Sequence, residues 1–507
     1  MLPVHDVASV RAAEEAAFAV VPDGALMQRA ARALAVSSTR LLIELRGGAV
    51  GARVVLLIGS GSNGGDALWA GSLLAARGCR VDALLLTDRA HEAGLRALLR
   101  TGGHRHRWNP HDPDLADLVG SADLVLDGIV GIGGSGGLRA DAADLVDLVE
   151  AAESVVVAVD VPSGVDADTG IVAGRAVTAD VTVTFGSLKP GLVVAPGRIH
   201  AGSIQVVDIG LDFAAPPTAE VTEGIDAAVW VEEPAEDSYK YRRGVVGVAA
   251  GSVPYPGAAL LVTAGARHGN VGMVRYLDRA DGNAAAVVGH FPDTVIDGSP
   301  PADQQRVTAW ACGSGFPGDH LDELTVLAVL ESTVPVVLDA GALRVVASSA
   351  DVRGRLAERR TRGGVTVLTP HEGEFEALRP GLLGGSAGRL AAASVAATEL
   401  GAVVVLKGPG TVIAAPGGHA YVDVEGTSDL GAAGSGDVLS GLLAAVLAGA
   451  WSEGRRGEDA MARAAAAAVW LHGRAGQIAA RQGPVAATDI AAAVRGAIRS
   501  ARFGEDA

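Results

Sequence analysis

The chain has 507 residues, 49% hydrophobic and only 4% aromatic, with 69 Gly. Its 41 Lys and Arg stand against 58 Asp and Glu, a net charge of −17 that argues against wrapping a phosphate backbone, so nucleic acid is not an expected partner. Cys79 and Cys312 are the only cysteines, too few for a disulfide framework or a Cys-based zinc set, which fits a reducing, cytoplasmic setting.

The length exceeds what one hydrophobic core usually serves, so at least two domains are expected. Residues 8 to 45 alternate Ala, Leu and Val with Arg and Glu at helical spacing, and the charges Asp6, Arg11, Glu14 and Glu15 leave no apolar core for a secretory leader. Arg53 to Ile58 reads as a buried strand running into the loop Gly59-Ser-Gly-Ser-Asn-Gly-Gly-Asp66, then a helix Ala67 to Arg77 and a strand Arg80 to Leu86. Such near-continuous apolar strands predict a parallel sheet covered on both faces. Further strands are expected at Leu124 to Leu126, Val155 to Val159, Val181 to Phe185 and Ile204 to Val207. His104-Arg-His-Arg-Trp-Asn-Pro-His111 reads as a polar loop; its histidines lack a partner that would make a metal site.

The Pro pair in Asp212 to Glu220 reads as a linker. A second α/β series follows, with strands at Val245 to Ala249, Met273 to Leu277, Val334 to Leu338, Val365 to Leu368 and Val403 to Leu406, then a hairpin at Thr411 to Ala415 and His419 to Val424. The expected architecture is two three-layer α/β/α domains, 1–214 Rossmann-like and 225–507 of a different α/β type. Leu439 to Trp451 is apolar but short for a bilayer, so no membrane association is expected.

Three groups of the first half fall at strand ends, where open α/β sheets bind ligands: Asp127 with Gly128 to Arg139, Asp160-Val-Pro-Ser-Gly164, and Phe185 to Gly191. Gly59 to Gly64 satisfies GxGxxG, with Asp88 about where a ribose-binding acid is sought, but Asp66 places a negative charge where a pyrophosphate needs a free helix end. Asn63, Asp127 and Ser163 are hard oxygen donors that can share a monovalent cation, or each can cap a turn. Lys189, beside a Pro-Gly turn, reads better as a surface lysine than as a partner of Asp160. In the second half, Gly431 to Gly441 sets glycines and Asp437 before an apolar helix; it reads either as a capped turn or as an anion site with a proton-handling acid.

Gly59 to Ala67, Asp127 to Arg139 and Asp160 to Gly170 together resemble the NAD(P)H-hydrate epimerase domain, whose usual loop reads Gly-x-Gly-Asn-Asn-Gly-Gly-Asp-Gly; Ser62 and Ala67 depart from it. The resemblance implies that Ser62, Asn63, Gly64, Gly65 and Asp66, with Gly131, Ile132, Gly133, Gly134, Ser135, Gly136 and Gly137, line the hydrated dinucleotide. It also implies that Asn63, Asp127 and Ser163 hold K+ and that Asp160 contacts substrate as the catalytic group.

Gly251 to Ala259, Cys312 to Phe316, Thr369 to Glu374, Lys407 to Thr411 and Gly431 to Gly441, in that order, resemble the ribokinase-like ADP- or ATP-dependent NAD(P)H-hydrate dehydratase. That likeness implies substrate contacts from Ala258, Gly315, His371 and Asp437. It places the adenine nucleotide on Lys407, Gly408, Pro409, Gly410, Thr411 and Gly436, with Mg2+, and makes Asp437 the catalytic base. Gly341 stands where the family commonly has an acid, and Arg267-His-Gly-Asn-Val271 is unusual beside a Gly-Ala-Gly-rich counterpart. The two likenesses together imply a bifunctional repair enzyme, an isomerase joined to a lyase, acting on hydrated NADH and NADPH. A ribokinase-like small-molecule kinase, and a first half that only binds a nucleotide, stay open as alternatives. The Ala-rich surface leads us to expect a homo-oligomer.

Overall fold

The computed structural model describes residues 1–134, 136–279, 282–301, 304 and 306–504. Its contacts divide the chain into one unit of Pro3–Thr218 and a second of Met1–Leu2 with Ala219–Ala507.

The first unit holds a seven-stranded sheet in the order His104–Arg107, Arg80–Leu85, Arg53–Ile58, Leu124–Gly128, Val155–Val159, Val181–Phe185, Ser203–Val207. All neighbours run parallel. The order reverses beside Arg53–Ile58, which opens a crevice at the carboxyl ends of Arg53–Ile58 and Leu124–Gly128. Leu56, Leu57, Leu126 and Val157 are fully buried, as strands covered on both faces must be.

Two expectations need correction. The glycine-rich segment after the first strand is not a long loop: the helix Ser62–Ala76 begins at Ser62, with extended Gly61 as its cap. The glycines serve close approach, since a Cβ at Gly64 would stand 2.5 Å from the Gly59 carbonyl oxygen. The polar segment His104–Arg107 is an edge strand, where one row of backbone groups and most side chains can stay in water. Its His106 Nε2 lies 2.8 Å from Asp82 Oδ1.

The second unit's sheet runs Ala219–Val221, Ala420–Asp423, Thr411–Ala414, Val403–Leu406, Thr366–Leu368, Val336–Leu338, Ala309–Cys312, Val245–Ala249, Met273–Leu277, Val295–Asp297. The hairpin strand Thr411–Ala414 is antiparallel to both its neighbours. Three strands were not expected: the end of the presumed linker forms Ala219–Val221, and Ala309–Cys312 and Val295–Asp297 are too short to stand out from apolar surroundings.

The helix Ser435–Ser452 is long and apolar enough to cross a bilayer by length and composition, yet 72% of it is buried inside the unit. It presses against the helix Pro256–His268 through two glycines. A Cβ at Gly441 would stand 2.0 Å from the Val262 carbonyl oxygen, and one at Gly265 would stand 2.2 Å from that of Val438. This near-backbone contact fixes the first two turns of Ser435–Ser452 against the middle of Pro256–His268.

Candidate functional sites

In the first unit, Asp160 follows the strand Val155–Val159 with φ +67, a left-handed conformation that costs a non-glycine residue on the order of 1 kcal/mol. The side chain holds it there. Its Oδ1 accepts from Lys189 Nζ at 2.6 Å, Thr184 Oγ1 at 3.1 Å and the Phe185 amide at 3.3 Å. Lys189 is therefore not a surface lysine: it is 1% exposed and also donates to Thr184 Oγ1 and the Phe185 carbonyl. All three ammonium protons are used, which is what makes burying such a charge tolerable.

Asp66, in the first turns of its helix, is nearly buried. Burial, then Asp160 and Glu14, push its carboxyl well above the usual range. Glu14, on the helix Val7–Phe18, is pushed up by burial and by Asp160, with Lys189 and Arg11 opposing. Glu14 was missed from sequence; its signal was the Arg11 and Glu14 spacing on one face of the first helix.

Asp127 is fully buried, and Ser163 donates to it twice, through Oγ at 2.6 Å and its amide at 2.8 Å. Burial still lifts this carboxyl to about 6 against those bonds. Asn63 is buried with its Nδ2 unpartnered, and a Cβ at Gly131 would stand 2.9 Å from its Oδ1. Asn63 thus meets the loop after Leu124–Gly128 at Gly131 and Ser163 meets it at Val130, whereas a Cβ at Gly137 would stand 2.2 Å from the Ala173 carbonyl oxygen and one at Gly136 would meet nothing within 4 Å; Ser135 lies outside the described residues. Ala67 is accommodated by Gly128, where a Cβ would come within 2.7 Å of the Ala67 methyl. Asp88, 94% exposed beside Arg107, is not in this crevice.

In the second unit, Asp437 is not the N-cap. That position is left-handed Gly434, and Asp437 is the third residue of the helix Ser435–Ser452. Burial and the neighbouring Asp339 push its carboxyl up to about 6, while Ser314 and Lys407 pull the other way. Asp339 is itself buried, accepting from Thr369 Oγ1 at 2.7 Å, Lys407 Nζ at 3.1 Å and Ser314 Oγ at 3.2 Å. Lys407 Nζ also lies 3.7 Å from Glu374. Burial opposes its charge, but Asp339, Glu374 and Asp437 outweigh that and hold the ammonium above its ordinary value. The same Nζ is 3.4 Å from where a Cβ of Gly436 would be, so Lys407 reaches the helix mouth.

Gly315, with φ +74, lies against Ala258: a Cβ on it would meet the Ala258 methyl at 2.7 Å. Ser252 Oγ donates to the Gly315 carbonyl at 2.6 Å, joining the segments 251–259 and 312–316. Behind Lys407, buried Arg389 donates to the Lys407 carbonyl and to Glu372, and Gly408 at φ +151 makes room for that guanidinium. Pro409 and left-handed Gly410 then turn the chain to Thr411, whose Oγ1 donates to the Gly408 carbonyl at 3.0 Å. His371 caps the helix Glu372–Leu378 with its Nδ1 and is 61% exposed at the rim. His472 is fully buried against Ser435 and held down to about 4, hence neutral. Asp339, Glu374 and Arg389 were present in the sequence but carried no assigned role; only the fold brings them to Lys407. Gly341 has no space for a side chain, since a Cβ would stand 2.3 Å from the Phe316 carbonyl oxygen.

Comparison with known proteins agrees with both halves. A family model described as NAD(P)H-hydrate dehydratase matches residues 246–495, and one described as YjeF-related protein N-terminus matches 23–191. The bifunctional NAD(P)H-hydrate repair enzyme Nnr of Mycobacterium tuberculosis is 44% identical over 448 residues, 88% of this chain and 89% of that one. Its namesake from Corynebacterium glutamicum is 32% identical over 89% of this chain and 88% of its own. Among solved structures, the ADP/ATP-dependent NAD(P)H-hydrate dehydratase of Bacillus subtilis, co-crystallised with ATP/Mg2+, is 27% identical. It has a TM-score of 0.47 and covers 56% of this chain and 99% of that one. With both halves matched in one continuous alignment to a relative of similar length, the chain belongs to the bifunctional NAD(P)H-hydrate repair enzymes.

Proposed function

We propose that the first unit interconverts the R and S forms of hydrated NADH and NADPH and that the second dehydrates the S form using ADP or ATP. The observation that supports this most is Asp437: a carboxyl lifted to about 6 in the first turn of a glycine-capped helix, beside Lys407. A base poised near the working pH, next to a cation and free amides, suits phosphoryl transfer to a hydroxyl.

Asp437 takes the proton from the substrate hydroxyl as that oxygen attacks the terminal phosphoryl group and its P–O bond to the nucleotide breaks, releasing AMP from ADP or ADP from ATP. The amides around Gly434 to Gly436, with Lys407, receive the charge on the transferring phosphate. The ring nitrogen's lone pair then expels phosphate and restores the dihydronicotinamide. Ala258 and Gly315 form a flat, small-residue wall for the ring, His371 stands at the rim, and Lys407 to Thr411 carry the nucleotide. Mg2+ would accompany the nucleotide and offset phosphate charge; Glu374, near Lys407, is a hard oxygen donor that would suit it.

In the first unit, Lys189 holds the Asp160 carboxylate in place as the base, and Asp66, pushed toward its neutral form, hands a proton to the departing oxygen, which leaves as water; Asp160 then takes a proton from the water that adds to the opposite face of the ring. The planar iminium-like state between the two epimers is stabilised by Asp160. Asn63, Asp127 and Ser163 suit K+: a buried carboxylate lacking a cation partner among the described residues, a hydroxyl and an amide converge there, and the ion would supply the missing positive charge.

Incubating the protein with mixed epimers, Mg2+, K+ and either ADP or ATP is expected to restore the NADH absorbance from both epimers. Failure to recover it with either nucleotide would sink the reading, and a stable phosphorylated product without elimination would make the second unit a kinase instead.

A further inference from the structure

The unusual sequence Arg267-His-Gly-Asn-Val271 is not used by either site. It lies at the opposite, amino-terminal end of the second sheet. Arg243 precedes the strand Val245–Ala249, Val271 precedes Met273–Leu277, and Val245 pairs with Met273. Here Arg243, Arg267, His268, Asn270, Arg495 and Arg502 line a cavity of about 410 Å³.

The lining falls into two hydrogen-bonded groups. Arg243 Nη2 donates to Asn270 Oδ1 at 3.2 Å, and Asn270 Nδ2 donates to the Glu232 carbonyl at 2.9 Å. Arg502 donates to that same carbonyl at 2.6 Å and to Val231. Arg495 Nη2 lies 3.2 Å from His268 Nε2, and His268 Nδ1 lies 2.5 Å from the Ala491 carbonyl, so Nδ1 carries the proton and Nε2 accepts from Arg495. Asn270 adopts φ +68, a left-handed turn that asparagine tolerates better than most residues and that aims its amide into the first group.

Charge is unbalanced there. Arg267 is matched by Asp293 in a two-bond pair at 2.9 and 2.6 Å. Arg243, Arg495 and Arg502 form no ion pair with a carboxylate among the described residues, and the buried Nε of Arg243 has no hydrogen-bond partner. Glu232 and Glu233 are the acids facing Arg502, and Arg243 opposes them there. Arg243 and Arg495 are left without a facing carboxylate among the described residues, and Arg243 repels Arg502 unless an anion joins them. Guanidinium forks match the oxygens of phosphate bidentately, and several converging forks select a multiply charged group.

The geometry points to a second ligand site in the dehydratase unit, separate from the catalytic one, that binds a phosphate-bearing anion of two or more charges between Arg243, Arg495 and Arg502. The cavity is large enough for a pyrophosphoryl group or the phosphate tail of a nucleotide. It does not depend on the catalytic assignment above.

The test is calorimetric titration of the full chain with inorganic pyrophosphate, in the wild type, in Arg243→Gln/Arg495→Gln, in Arg495→Gln alone, and in Lys407→Met. Binding is expected to weaken at least about tenfold in the double variant and measurably in Arg495→Gln, to persist in Lys407→Met, and to fade with added salt. Dehydratase activity of the arginine variants stays unchanged and reports that they are folded; if the double variant misfolds, exposed Arg495→Gln decides alone. Binding lost only in Lys407→Met would place pyrophosphate in the catalytic site and overturn the inference, as would no binding to the wild type. Equal competition by citrate would overturn the phosphate class.

Discussion

Lys189 Nζ lies 2.6 Å from Asp160 Oδ1, and the pair is sealed from water on the lysine side. Removing one partner of such a pair leaves the other charge buried and unmatched, which typically costs about 3–5 kcal/mol. Lys189→Met is therefore expected to cut epimerisation by about a hundredfold or more and to lower the melting temperature. Chromatographic separation of the two epimers follows the first effect, and the dehydratase rate on the S form serves as the internal reference.

Asp437→Asn is expected to reduce dehydration by about a thousandfold while sparing epimerisation. The same change is expected to stabilise the protein. The folded-state value of about 6 lies above the unfolded one, so the ionised carboxylate subtracts stability, and does so fully once the pH exceeds about 6. A carboxyl lifted that far above its ordinary range bounds the gain at about 3 kcal/mol at pH 7, and none is expected near pH 3. Thermal unfolding at both values checks it.

The pH profile of dehydratase kcat/KM is expected to rise through about 6 and level off above it, because the base must be ionised. Lys407 pulls the Asp437 carboxyl down, so Lys407→Met is expected to move that limb to higher pH as well as raising the KM for the nucleotide.

K+ is expected to raise the melting temperature of the wild type relative to an equal concentration of choline chloride, and not that of Asp127→Asn. Binding that favours the folded state stabilises it in proportion to the logarithm of ligand excess. The same thermal shift in both proteins would refute the assigned cation site.

Gly341→Asp, which restores the acid common in the family, is expected to destabilise the dehydratase unit by about 1–3 kcal/mol, since Phe316 backbone fills the space. Urea unfolding followed through that unit, with epimerase activity as the control, measures it.

The parallel sheets and nearly every long strand were readable from apolar runs bounded by glycine, the segments around Asp160 and Lys407 from their places at strand ends, and that of Asp437 from the glycines before an apolar helix. Lys189 was misread because a lysine beside a Pro-Gly turn looks solvated until the strand Val181–Phe185 is seen to fold it under Asp160. Glu14 and Asp339 were illegible for a related reason. Their roles arise from neighbours far away in the chain, and no local pattern encodes that proximity. The helix start at Ser62 was hidden by glycines whose low helix propensity is overridden by the close contact at Gly59.

The contact of Gly441 with Val262 also bears on how the dehydratase unit opens. The turn carrying Asp437 continues into a helix whose residues from Val438 to Ala448 are almost wholly shielded and locked to a neighbouring backbone. Such a segment cannot fray separately. The amides of Val438 to Ala448 are expected to exchange with solvent deuterium only when the whole unit unfolds, so Asp437 is anchored to the last part of the unit to loosen.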